Sequence, residues 1–250
     1  MKVLGRGGAE SRTKSLRRAA FRFPSRSARV VEFVFRRLDA TGDFYPDDAM
    51  EGTVPGPDPD RVVFVGERGE LSLGVRTHEL SLPAFFARHR AARTARGVSW
   101  KMLPAPSASV RELPSVIAAH REDLGRCDVV VVLVGITDAL RVLPVRVWEH
   151  RLRDTIVALR EVAPVGAEVV IGEIPPLDNA GSLSRSARLA AGVHGRRLNA
   201  RTRLVAEACP RVRAVGFPDE LTRSVWRPES DEHRYRDTYK VWGGRLDADS

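Results

Sequence analysis

The chain has 250 residues, 43% of them hydrophobic and 29% charged, values of an ordinary globular protein with enough length for one large α/β domain and a terminal extension. Its two cysteines, Cys127 and Cys209, have no metal-ligand spacing and form no disulfide framework, so neither metal nor cofactor is expected. The formal net charge is +9, and residues 1–37 carry all of it, with 11 Lys+Arg against 2 Asp+Glu, while the remainder is balanced at 30 and 30.

Residues 1–38 read as a basic N-terminal extension, disordered to about residue 24 and helical over 25–38. Such a tail is suited to nucleic acid, an anionic membrane or an acidic partner. The plainer reading is a solvated segment, since only positions 2, 14, 101 and 240 are lysine and the arginine bias can reflect coding composition. No apolar core of a signal peptide follows the basic residues, because Glu32 interrupts Val30–Phe35. No stretch approaches the roughly 20 apolar residues of a spanning helix. A cytoplasmic location is expected, free in solution or peripheral to a membrane, with residues 25–38 as a basic amphipathic surface helix.

Residues 39–60 are rich in Pro, Gly and Asp and read as a linker. From 61 to 250 the pattern alternates. Short β-branched runs fall at Arg61–Val65, Val98–Leu103, Asp128–Val134, Glu168–Gly172 and Val212–Phe217. Longer helical patterns fall near 78–95, 108–121, 145–161 and 185–208, and again after Tyr235. Asp128-Val-Val-Val-Val-Leu-Val134 is apolar on both faces, as a central parallel strand covered on both sides must be. The order predicts a doubly wound, five-stranded, mainly parallel sheet flanked by helices in three layers. Ligands of such sheets bind beyond the carboxyl ends of the strands. The informative loops are therefore those after Val65, Leu103, Val134 and Gly172, and the one before the last helix.

The stretch Arg61-Val-Val-Phe-Val-Gly-Glu-Arg-Gly-Glu-Leu-Ser-Leu-Gly-Val75, a buried strand entering a glycine turn, resembles the first sequence block of the SGNH/GDSL hydrolases. There the turn reads Gly-Asp-Ser and the serine attacks an ester carbon. Here it reads Gly66-Glu67-Arg68, so the resemblance places an arginine at the nucleophile position. Ser72 lies four residues further on and reads as an exposed loop serine. The resemblance extends over about residues 61–246. It maps the second block's oxyanion glycine to Ser107 in Pro104-Ala-Pro-Ser-Ala-Ser109, where two prolines remove backbone donors. Ser109 is placed to cap the helix that follows. The third block, Gly-x-Asn-Asp in the family, reads Gly135-Ile136-Thr137-Asp138, with Thr137 in place of the oxyanion-binding asparagine and Asp138 as a structural residue. The last block falls at Glu229-Ser-Asp-Glu-His233. His233 matches the catalytic base, supported by Tyr239 and Trp242 downstream, while the orienting aspartate is replaced by Ser230. Asp231 or Glu229 is then the substitute carboxylate. Ile174-Pro-Pro-Leu177 and Arg196-Arg-Leu-Asn199 resemble the exit of the fourth family strand and the next helix.

An arginine cannot form an acyl-enzyme. Removing the nucleophile of a triad costs about a million-fold in rate, and losing one oxyanion donor about 100- to 1000-fold. The resemblance therefore implies an SGNH-type protein that is silent as a serine hydrolase. Arg68, Thr137 and His233 would line a donor-rich cleft for a small carboxylate or phosphate, or Arg68 would pair with Glu67, Asp138 or Asp231 and plug it. Two alternatives stand beside this. One is a weak hydrolase of an ester ligand with His233 as general base; the other is a binding protein acting through residues 1–37.

Overall fold

The computed structural model describes residues 45–105, 109–179, 183–222 and 231–248, with side chains in the last segment from Tyr235 onward. The basic extension and its expected helix lie outside the described residues.

Six strands form a single sheet in the order β1-β3-β2-β4-β5-β6. They are β1 (Glu51–Val54), β2 (Asp60–Gly66), β3 (Val98–Pro104), β4 (Val129–Leu133), β5 (Glu168–Gly172) and β6 (Val212–Val215). The last five are mutually parallel and correspond to the five expected runs. The sixth is β1, which pairs antiparallel with β3 from Glu51↔Lys101 to Val54↔Val98. It lies inside the stretch read as linker. Four residues, two of them exposed, give too little alternation to announce a strand, and the edge of β3 supplies the pairing.

The helices are α1 (Arg68–Ser72), α2 (Leu82–Thr94), α3 (Leu113–Ala119), α4 (Arg121–Leu124), α5 (Ile136–Leu140), α6 (Val145–Val162), α7 (Arg185–Glu207) and α8 (Asp231–Asp247). Alternate strand residues face opposite sides, and two cores result. Val63, Val65, Val130 and Val132 pack with Leu113 and Ile117 of α3, Trp148, Leu152 and Leu159 of α6, and Leu198 and Val205 of α7. Val62, Phe64, Val129 and Val131 pack with Leu71 of α1, Leu82 and Phe86 of α2, and Tyr239, Trp242 and Leu246 of α8. All five residues of β4 are buried, as a strand apolar on both faces requires.

Two expected helices begin later than their patterns suggested. Pro83 and Pro114 stand in the first turns of α2 and α3, where a missing N–H costs nothing and the fixed φ favours helix entry. The residues before them form a 3-10 turn (His78–Leu80) and a loop.

The sheet fixes where a ligand can sit. From β2 the chain crosses to β3 on one side and then to β4 on the other. The carboxyl end of β2 is therefore the topological switch point, the place where ligands of such sheets bind.

Candidate functional site

The three strand exits at this switch point are stitched together by backbone hydrogen bonds. The Ala105 N–H donates to the Gly66 carbonyl at 2.7 Å, and the Glu67 N–H donates to the Leu133 carbonyl at 3.0 Å. A Cβ at position 66 would run into the Leu133 carbonyl oxygen, so only glycine allows β2 and β4 to approach this closely. Gly135, at the exit of β4, has φ 127°. There a Cβ would meet Ile174 Cγ1 at 2.6 Å and Trp148 Cη2 at 3.0 Å. Both glycines bring loops together before any side chain acts.

A second tie joins the loop after β3 to the loop after β4. Asp138, buried in α5, accepts from Ser109 Oγ at 2.7 Å and from the Val110 N–H at 2.8 Å. Its carboxyl pKa is raised, chiefly by burial, with the two hydrogen bonds and the charges of Arg141 and Arg111 opposing. Ser109 was expected to cap the following helix. Its hydroxyl accepts from the Arg111 N–H at 3.4 Å in the turn that enters that helix and also donates to Asp138, and its carbonyl accepts from the Glu112 N–H at 3.0 Å. Thr137 is buried beside Asp138 in α5.

Arg68 opens α1, directly beyond Gly66 and Glu67 at the end of β2. Its guanidinium carbon lies 4.6 Å from the centroid of the Tyr45 ring. Its Nη2 donates to the Pro46 carbonyl at 3.1 Å. Nε is buried without a hydrogen-bond partner among the described residues. Among the described residues Arg68 is thus a cation set over Tyr45 and held by the segment Tyr45–Asp48, while its expected pairing with Asp231 falls on a side chain outside the described residues. Asp48 anchors the other end of that segment. Its carboxylate accepts from the His78 N–H at 3.0 and 3.1 Å and lies 2.8 Å from His78 Nδ1.

Solved structures with a similar fold exist. A lipase, Lip_vut3, from a goat rumen metagenome superposes with TM-score 0.57 at 12% identity, covering 75% of this chain and 95% of that one. An extracellular lipase from Streptomyces rimosus gives TM-score 0.53 at 17% identity, covering 75% and 97%. A protein named TesA gives 0.53 at 15%, covering 75% and 96%. The chain has the SGNH/GDSL hydrolase fold. At these identities the likeness concerns the fold alone. No protein-family model matches the sequence, and no curated protein matches it.

Within the SGNH fold, the loops after β2, β3 and β4 converge, carrying Gly66, Glu67, Arg68, Gly135, Thr137 and Asp138 to one end of the sheet. Ser107 lies outside the described residues, as do Glu229 and Ser230. Asp231 and His233 fall in the first turn of α8, and their side chains lie outside the described residues. The body of α8 is docked on α1. The Tyr239 hydroxyl donates to the carbonyls of Leu73 at 3.0 Å and Gly69 at 3.3 Å. The Tyr235 ring lies over Gly74.

That docking corrects the reading of Ser72. It is fully buried at the end of α1 rather than exposed in a loop. The same burial takes in Glu70, whose carboxyl pKa is raised well above the usual range, by desolvation first and by the neighbouring Glu67 second. All three tyrosines of the chain thus gather around α1, with Tyr45 on Arg68 and Tyr235 and Tyr239 at its far end. Sequence reasoning missed Tyr45, Asp48, Glu70 and His78. Asp48 and Tyr45 sat in a stretch read as linker, and nothing local marks them as partners of residues 20 to 30 positions on.

Proposed function

We propose that this protein is a catalytically silent member of the SGNH fold class that uses the cleft at the end of β2 to bind a small carboxylate or phosphate. The observation that carries the reading is the state of Arg68. It occupies the position from which an SGNH serine would attack. One face lies over Tyr45, one Nη donates to Pro46, and the buried Nε–H has no partner among the described residues. A buried donor left unmade costs about 1–3 kcal/mol, a cost that an anion or a water entering the cleft removes. Guanidinium is always charged and meets carboxylate or phosphate in a planar, two-point geometry. Stacking on Tyr45 fixes its plane before any ligand arrives, which reduces the ordering cost of binding.

Two measurements on the full chain test this. Inorganic phosphate and acetate should raise the melting temperature of the wild type and leave that of Arg68→Ala unmoved. Short p-nitrophenyl esters should not turn over, and Arg68→Ser should not recover strong esterase activity, because Thr137 and the two-proline loop remain. Wild-type turnover abolished by His233→Ala would replace this reading with that of a hydrolase.

A further inference from the structure

Charge in the folded body is balanced in total but not in place. Helices α6 and α7 together carry ten arginines (146, 151, 153, 160, 185, 188, 196, 197, 201 and 203) against four carboxylates (149, 154, 161 and 207). Residues 38–250 sum to zero, so this one layer is strongly positive and the rest of the body is negative. Both helices cover the same face of the sheet, sharing the core with Val63 and Val130. Some of the arginines are neutralised locally. Arg196 pairs with Asp178 at 2.7 Å, Arg203 with Glu173 at 2.5 Å, and Arg201 approaches Glu149 at 3.8 Å. Among the described residues, Arg146, Arg185, Arg188 and Arg197 have no acidic partner.

Apolar exposure falls in the same layer. Among the described residues, the exposed aliphatic side chains are Val157 (57%) on α6, Val165 (93%) just beyond it, and Leu189 (58%) and Leu204 (50%) on α7. Steps of three and four place residues on one helix stripe. Arg146, His150, Arg153 and Val157 form such a stripe on α6, and Arg185, Leu189, Arg196, Ala200 and Arg203 form one on α7. At about 1.5 Å per residue, α7 presents a line of roughly 34 Å. Exposed aliphatics set among arginines are the composition of a surface that rests on acidic headgroups and dips apolar side chains below them.

We infer that the outer face of α6 and α7 is a docking surface for an anionic lipid bilayer. Other occupants fit less well. The chain's own N-terminal extension and a second copy of the same face are both positive and would be repelled. Single-stranded nucleic acid is held by aromatic stacking platforms, and the exposed aromatic side chain among the described residues, Tyr45, is engaged at Arg68 on the cleft. The docking is peripheral, since no helix among the described residues is long and apolar enough to cross a membrane.

The test is co-sedimentation of the full chain with vesicles of phosphatidylserine in phosphatidylcholine, against phosphatidylcholine alone. The wild type should sediment only with the anionic vesicles. Arg146→Glu with Arg185→Glu, one on each stripe and neither breaking an ion pair, should weaken binding roughly tenfold to a hundredfold, on the usual contribution of each basic residue near an anionic surface. Leu189→Ser with Leu204→Ser should weaken it severalfold without changing its dependence on salt. Circular dichroism and melting curves of both double variants verify that they fold. Absence of wild-type binding overturns the inference. So does binding indifferent to both double variants, which would assign it to the N-terminal extension. RNA binding lost in the arginine variant without any vesicle binding overturns it as well.

Discussion

Asp138 shows what single residues contribute around the cleft. Its carboxylate joins the loops after β3 and β4 through Ser109 Oγ and the Val110 N–H. Alanine at 138 leaves both buried donors without a partner and should cost about 2–4 kcal/mol in urea unfolding. Asparagine is the instructive change. Its oxygen can accept from Val110 while its amide donates to the Ser109 hydroxyl, so both bonds survive and only the charge is lost. The folded pKa of Asp138 is raised. Across the window from the unfolded value near 4 up to that raised value, the folded state therefore holds more proton than the unfolded state. Stability then falls as pH increases through the window and is highest below it. Asp138→Asn removes this contribution, so its stability relative to wild type should improve from pH 3.5 to pH 7; parallel curves would contradict the assignment. Gly135 makes the complementary case for backbone. Gly135→Ala forces a Cβ against Ile174 and Trp148 at φ 127°, and should lower stability by about 2 kcal/mol or more.

At the scale of elements, a helix on the far side of the sheet edge holds a loop of the cleft. Asn199 of α7 accepts from the Ile174 N–H at 2.9 Å and donates to the Ile174 carbonyl at 2.9 Å. It thus pairs with the chain leaving β5 as a neighbouring strand would. Asn199→Ala should cost about 2–4 kcal/mol and speed amide exchange at Ile174, while leaving exchange within β4 in proportion to the global loss. What the sequence disclosed follows the same division between local and distant causes. Val129–Leu133 was legible because an uninterrupted apolar run of that length needs cover on both faces, whatever provides it. The resemblance at Gly66-Glu67-Arg68 and Gly135-Ile136-Thr137-Asp138 was legible because close backbone approach demands glycine at fixed places. The burial of Ser72 was not, because it depends on Tyr235 and Tyr239, brought against α1 from far along the chain. Nor was the stacking of Tyr45 on Arg68, which needs residues 45–48 to fold back across the cleft from a segment whose composition signals only turns.

For the molecule as a whole, a buried ion-pair network and the proposed anion site lie at opposite ends of β2. The cleft lies beyond Gly66. At the other end, the buried Asp60 carboxylate pairs with Arg90 at 2.6 Å and Arg96 at 2.8 Å. Arg90 also approaches Asp247 at 3.7 Å and Glu168 at 3.9 Å. Arg93 pairs with Asp247 at 2.8 Å, and Arg213 with Glu168 at 2.5 Å. This network joins the starts of β2 and β5 to α2 and to the end of α8. Six residue steps at about 3.3 Å each put roughly 20 Å between Asp60 and Gly66. Arg90→Met removes one guanidinium and leaves the Asp60 carboxylate with Arg96 as its remaining ion-pair partner among the described residues. A broken buried pair of this kind costs about 3 kcal/mol, and the loss should change little with salt because the pair is shielded from solvent. The phosphate-induced rise in melting temperature should persist in this variant, since Arg68 is untouched. Sites this far apart without shared partners combine additively to within about 0.5 kcal/mol. The double variant Arg68→Ala, Arg90→Met should therefore show the stability losses of the two single changes summed, with the phosphate response abolished by the first alone. A coupling well above that margin would mean that the strap at Tyr45–Asp48 communicates with the far end of the sheet, and that the cleft is not an independent module of the fold.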